Sequence, residues 1–362
     1  MDEQLLQRIE KYELIYNIER SYAAAQSLIE AYRQMARSLE DVDPKRATEY
    51  LKKVRDVATQ LLSNGDRRME KERICALHDA AAIALRHKAF GAAQNYLEEA
   101  MTDSKQWTER EVTLQSLASL YETQDYMGKL GMVAGYPLDA VDCFLSAEET
   151  ACRMLELERN EEIELMYVMA LTLRAEAKVA ARDADGALEA YQLALDVLDA
   201  EHDASLKNLQ MAINISRQVS NLLWRVRAVD RAIHYAENAI ARSDRLIEGD
   251  KTLESMREAV LSYYNLGQKT EALGGSKAFL CASYYMKAMR LAQENVDRYG
   301  TPRLKDDLAT AACAFGQATQ TPNNVKEAIE IWNELSQQPN GNVYLQKKQY
   351  AQRILAQLMA NH

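Results

Sequence analysis

The chain has 362 residues, 48% hydrophobic and 27% charged, with a formal net charge of −10 at pH 7. That balance describes a folded protein, not a disordered one. The acidic sum disfavours nonspecific nucleic-acid binding, which needs a basic surface to release counterions. No apolar run approaches the ~18–20 residues of a membrane span.

The first residues, Met1-Asp2-Glu3-Gln4, are acidic and lack the apolar stretch of a signal peptide. Residues 3–40 contain neither Gly nor Pro, and Leu5, Ile9, Tyr12 and Tyr16, then Leu28, Tyr32, Met35 and Leu39, recur at helical spacing. This predicts one long helix or two in succession. From there a spaced trio repeats: a small residue, a bulky one four on, and usually Ala three further. It reads Ala47-Leu51-Val54, Ala93-Leu97-Ala100, Ala140-Phe144-Ala147, Ala187-Tyr191-Ala194, Ala232-Ala236-Ala239, Cys281-Tyr285-Ala288 and Ala328-Trp332-Leu335. The first members lie 45 to 49 residues apart.

Positions i, i+4 and i+7 share one helix face. A small residue lets a neighbouring backbone approach, the bulky one fills the space between helices, and Ala keeps the next crossing tight. Each trio therefore marks the second helix of a helix-turn-helix unit, and a period of this size signals a stacked array. Apolar residues precede each trio, such as Leu77, Ala81 and Ala84 before Ala93, or Leu308, Ala309 and Ala312 before Ala328. The tract Leu266-Gly267-Gln268-Lys269-Thr270-Glu271-Ala272-Leu273 reads as a turn between paired helices, which would make Ala272 the small opening residue of the sixth unit; the period selects Cys281 instead.

In these features the chain resembles the tetratricopeptide repeat (TPR) family, whose signature is a large residue followed by Leu-Gly-x-x-Tyr in the first helix and Ala-x-x-x-Phe/Tyr-x-x-Ala in the second. The resemblance covers roughly residues 17–336, with repeats near 47 residues where the family usually has about 34. The extra length fits helices of about 20 residues. It implies an all-α, right-handed solenoid of about seven helix-turn-helix repeats with terminal capping helices. The expected organisation is 1–40 as N-terminal helix or helices, 41–336 as the array and 337–362 as a cap.

Boundary signals agree with the pairing. Asp43-Pro44, Thr301-Pro302 and Thr321-Pro322 place a capping side chain before a helix-starting Pro. Thr108-Glu109-Arg110-Glu111 reads as a capping box; Asn64-Gly65 and Glu248-Gly249-Asp250 read as helix ends. Tyr126–Pro137, with Gly128, Gly131 and Gly135, and Gln317–Asn324 read as longer loops, while Pro339-Asn340-Gly341 introduces an amphipathic helix over 342–360.

The chain shows no P-loop, GxGxxG, HExxH or GxSxG. Cys75, Cys143, Cys152, Cys281 and Cys313 are scattered without a CxxC, which reads as packing residues in a reducing cytoplasm. None of His78, His87, His202, His234 and His362 makes a metal-spaced pair with another His, Cys or carboxylate that exceeds chance, and packing best explains Cys75 and His78, three apart on one helix. No enzyme activity, cofactor or metal is expected. What remains is binding. In TPR proteins the first helices line a groove that holds partner peptides. The resemblance then places Asn214, Arg217, Asn221, Trp224 and Arg225 on the groove side, with Arg257, Tyr264, Asn265 and Arg303 from the next first helices. Asn grips a peptide backbone, Arg a carboxylate or phosphate, and Trp an apolar side chain.

The expected partner is a protein or peptide with an anionic segment, not nucleic acid or membrane, and the expected role is a scaffold or adaptor. Bacterial Rap-type regulators also resemble the chain in size, helical repeats and N-terminal helical extension, which implies a response to a signalling peptide. A helper subunit of a larger assembly, or self-association through a terminal helix, is the third expectation.

Overall fold

The computed structural model describes residues 3–200, 205–274, 278–339 and 341–360. Met1, Asp2, His202, Asn340 and His362 lie outside the described residues. Sixteen α-helices and no strand occur among them: α1 Glu3–Glu19, α2 Tyr22–Leu39, α3 Pro44–Ser63, α4 Glu70–Arg86, α5 Phe90–Arg110, α6 Leu114–Ala134, α7 Pro137–Leu157, α8 Glu161–Ala180, α9 Ala184–Asp199, α10 Leu206–Arg225, α11 Val229–Gly249, α12 Leu253–Leu273, α13 Ala278–Tyr299, α14 Pro302–Ala318, α15 Pro322–Ser336 and α16 Asn342–Ala360. The chain divides into two units, Met1–Ala194 and Leu195–His362.

The N-terminal stretch forms two helices. Arg20 takes a left-handed conformation (φ 49°), which ends α1, and the Ser21 hydroxyl accepts from the Ala24 N–H to start α2. Leu5, Ile9 and Tyr16 of α1 are buried with residues of α2 and α3. Within the first unit the helices from α1 to α8 pack each on the next, and α4 also touches α6.

All seven trios fall on seven separate helices, α3, α5, α7, α9, α11, α13 and α15, and every member is buried. Cys281, not Ala272, opens the sixth: Cys281 lies in α13 at 2% exposure, whereas Ala272 is an exposed residue near the end of α12. The tract 266–273 is thus helix, not turn. Its Gly267 serves a close approach, because a Cβ there would come within 2.6 Å of the Tyr285 ring.

The same reason corrects the loop expected over Tyr126–Pro137. Helix α6 runs on to Ala134, because Gly128 lies under the Phe144 ring and Gly131 against Ala140. Only Gly135 (φ 86°) is a stop, in the left-handed conformation that glycine adopts without a Cβ clash. The expected Gln317–Asn324 loop shrinks to the turn between α14 and α15 for a like reason, since Gly316 lies against Val325. Thr108 sits inside α5; the capping box is formed instead by Thr113 and Ser116 at the start of α6.

The four prolines Pro44, Pro137, Pro302 and Pro322 each begin a helix, but of the three capping residues expected before them only Asp43 makes a side-chain cap, to the Arg46 N–H.

In the second unit the helices from α10 to α16 again pack in series. Here the alternate helices α10, α12, α14 and α16 also touch one another, and no comparable contact joins α11, α13 and α15 among the described residues. One layer is tighter than the other, so this unit curves with its first helices inside. Helix α16 lays Ala351, Ile354 and Leu358 against Trp332 and Leu335 of α15 and Ala309 and Ala312 of α14.

Candidate functional site

The inner layer of the second unit carries polar side chains that reach from one first helix to the next. Arg217 of α10 pairs with Glu258 of α12 at 2.7 Å and also donates to the Glu258 carbonyl at 3.4 Å. Arg257 of α12 forks onto Asp307 of α14, at 2.7 and 3.4 Å. Burial pulls Arg217 below the usual guanidinium value, opposed by the Glu258 charge. Burial raises the Asp307 carboxyl, opposed by Arg257. The charge with which these two arginines were expected to grip a partner's carboxylate or phosphate is therefore taken up by carboxylates one helix on.

Further along α12, beyond both pairs, lies an amide cluster. Asn265 Nδ2 donates to Asn221 Oδ1 at 2.8 Å. Lys269 Nζ donates to the same Asn221 oxygen at 2.8 Å and to Asn265 Oδ1 at 2.7 Å. Lys269 is 5% exposed. Burial away from water pulls its amine down to about 8. Two neutral amide oxygens accept its hydrogen bonds, and no carboxylate is paired with it among the described residues.

The nine residues expected from sequence thus fall into groups. Asn221 and Asn265 are brought together, and Arg217 and Arg257 are held in ion pairs. Tyr264 is half-buried, its ring 5.6 Å from that of Tyr285, and its hydroxyl accepts from Gln268 at 3.2 Å. Burial pushes the Tyr264 phenol up to about 12. Trp224 is half-buried at the end of α10, and Asn214, Arg225 and Arg303 are exposed. None of those four is hydrogen-bonded to the amide cluster among the described residues.

Lys269 escaped sequence reasoning because it lies in the tract that reads as a turn. Periodicity carried a usable signal: Lys269 follows Asn221 by 48 residues, close to one repeat. A separation of about one repeat recurs in the first unit, where His78 Nε2 lies 2.7 Å from Thr123 Oγ1 and the Tyr121 hydroxyl donates to the Met166 carbonyl, each across 45 residues. His78 is buried there beside Tyr126, with ring centroids 5.2 Å apart. No cluster of three or more metal-ligating side chains occurs among the described residues, and no helix among them is long and apolar enough to cross a membrane.

No family model matches the chain, and no curated protein matches it. Solved structures do. Apo RapI superposes with a TM-score of 0.56 at 12% identity, over 92% of this chain and 85% of that one. The apo quorum sensor NprR of B. thuringiensis gives 0.50 at 10% identity, over 99% of both. A signal-transduction ATPase with a tetratricopeptide repeat sensor, from Pyrococcus horikoshii, gives 0.53 at 13% identity, over 90% of this chain and 45% of that one. At such identities the likeness is one of fold. The chain is a TPR-like, all-α helical-repeat protein.

Proposed function

We propose that the protein is a non-enzymatic scaffold that binds an extended peptide or protein segment along the inner helix layer of its second unit. The observation that carries this reading is the Asn221–Asn265–Lys269 cluster. Amide side chains on successive first helices offer donors and acceptors to a peptide backbone whatever its sequence. Lys269 supplies a positive charge with no carboxylate paired to it among the described residues, and an anionic group of the bound segment is its natural counterpart. The half-buried Trp224 adds an apolar plate at the end of α10.

A second reading is favoured by the likeness to the quorum sensor NprR and to RapI. In it the bound segment is a signalling peptide and the protein a regulator that responds to it. Both readings share the same groove and the same first test.

A random peptide library displayed on phage is selected against the whole protein, and the strongest sequence is measured by fluorescence anisotropy. Asn265→Ala removes both amide contacts of that residue from a half-buried position. It is expected to weaken binding about tenfold, the loss of one or two hydrogen bonds, with an unchanged circular dichroism spectrum. Equal binding by Asn265→Ala rejects the site, and failure to select any peptide rejects the reading.

A further inference from the structure

A cavity of about 630 Å³ opens in the second unit beyond the amide cluster, walled by α12, α13, α14, α15 and α16. Its size falls in the range of small-molecule sites. Four aromatic side chains line it: Tyr264, Tyr285, Trp332 and Tyr350. So do two charged ones, Glu271 and Lys347.

The two charges are not equivalent. Lys347 holds both oxygens of Asp306, at 2.7 and 2.8 Å, and Trp332 Nε1 donates to the same carboxylate at 2.8 Å. Its charge is paired with that of Asp306. Among the described residues Glu271 is bonded by the Tyr285 hydroxyl, which donates to Oε2 at 2.6 Å. No cation is paired with Glu271 among the described residues. Lys269, two residues before it, is turned to the other seam, where Asn221 and Asn265 hold it. The lining therefore combines aromatic faces with one carboxylate that no ion pair neutralises among the described residues. Aromatic faces carry negative charge density and attract cations, most strongly where water is displaced.

We propose that this cavity is a binding site for a small organic cation: a primary ammonium or guanidinium on an apolar, ring-sized stem, with the cationic head at Glu271 and the stem against Tyr264, Trp332 and Tyr350. The site stands on the lining of this cavity alone and is independent of peptide binding at Asn221 and Asn265.

Three probes of one shape separate charge from size: tyramine, its neutral alcohol 2-(4-hydroxyphenyl)ethanol, and the anion 4-hydroxyphenylacetate. Binding to the whole protein is read by titration calorimetry, with ligand-observed NMR for the weak members. Tyramine is expected to bind about tenfold more tightly than the alcohol, and the anion more weakly than either. Glu271→Gln keeps an acceptor for Tyr285 and removes the charge; it should bring tyramine to within about threefold of the alcohol. Tyr350→Ala, at a side chain 55% exposed and therefore safe for folding, should weaken tyramine and the alcohol alike. Equal affinity for tyramine and the alcohol in the unmodified protein overturns the proposal. So does a tyramine preference that survives Glu271→Gln, or the absence of binding by all three.

Discussion

The α6–α7 pair and the α12–α13 pair are built on the same joint and put to different use. In the first, the Phe144 ring lies over Gly128; in the second, the Tyr285 ring lies over Gly267. Each ring is 1% exposed. The surroundings of the two joints differ. Phe144 is closed in by Ala177 and Leu173 of the next first helix, α8. Tyr285 borders the cavity under α14, and its extra hydroxyl reaches Glu271. Two residues past the glycine, α6 has half-buried Leu130 where α12 has Lys269. Two residues before it, α6 has Tyr126 stacked near His78 where α12 has Asn265 bonded to Asn221. The repeat keeps the aromatic-on-glycine joint and leaves the flanking positions free to vary. Fold and candidate site are therefore written in different positions of the same helices.

The largest effect expected comes from trimming the aromatic residue of each joint, by its whole ring in the first and by its hydroxyl in the second. Phe144→Ala leaves a void that α8 cannot collapse into and should cost about 3–5 kcal/mol. Tyr285→Phe keeps the ring and loses a single hydrogen bond to a carboxylate, which is worth about 1.5–3 kcal/mol. Urea unfolding followed by circular dichroism ranks the two. If the hydroxyl proved to matter more than the Phe144 ring, the joint would not be the structural constant that the comparison makes it.

Filling the joint should cost less and separate the two pairs more sharply. A Cβ on Gly128 would lie 2.5 Å from the Phe144 ring, and one on Gly267 would lie 2.6 Å from that of Tyr285. Helix propensity favours Ala over Gly by about 1 kcal/mol, while overpacking costs about 1–3 kcal/mol. Phe144 has no room to yield. Tyr285 has a cavity beside it. Gly128→Ala should therefore lower the melting temperature clearly, and Gly267→Ala should change it little. Equal losses would mean that the cavity gives the Tyr285 ring no freedom.

This division explains what could be read from the sequence. The trios were legible because a buried face repeats by period, and Ala140, Phe144 and Ala147 obey the same spacing as Cys281, Tyr285 and Ala288. Glycine misled for a physical reason. Gly128 and Gly267 look like turn residues in a single chain, and only the facing ring shows that they make room inside a helix. Asn221 and Asn265 were legible as members of a first-helix face, and their separation of 44 residues is close to one repeat, but the period does not say which side chains of consecutive first helices will bond. The arginines were legible as charges. Their neutralisation by Glu258 and Asp307 depends on how consecutive first helices align, which spacing alone leaves open.

The smallest effect tests the polar half of the comparison. Lys269→Leu copies the residue that α6 carries at the matching position. Burial holds the Lys269 amine near 8 in the folded protein, against about 10.4 for an unfolded lysine. Between these values the unfolded chain binds more protons than the folded one, so this group penalises folding fully below pH 8 and releases the penalty as pH rises toward 10. The stability of the unmodified protein minus that of Lys269→Leu should therefore increase between pH 8 and 10, by on the order of 1 kcal/mol. Taking the difference cancels the tyrosines and thiols that titrate in the same range in both proteins. A flat difference would show that Lys269 keeps an ordinary solvated amine. In that case its two amide partners would be incidental, and α12 would differ from α6 only in the cavity beside Tyr285.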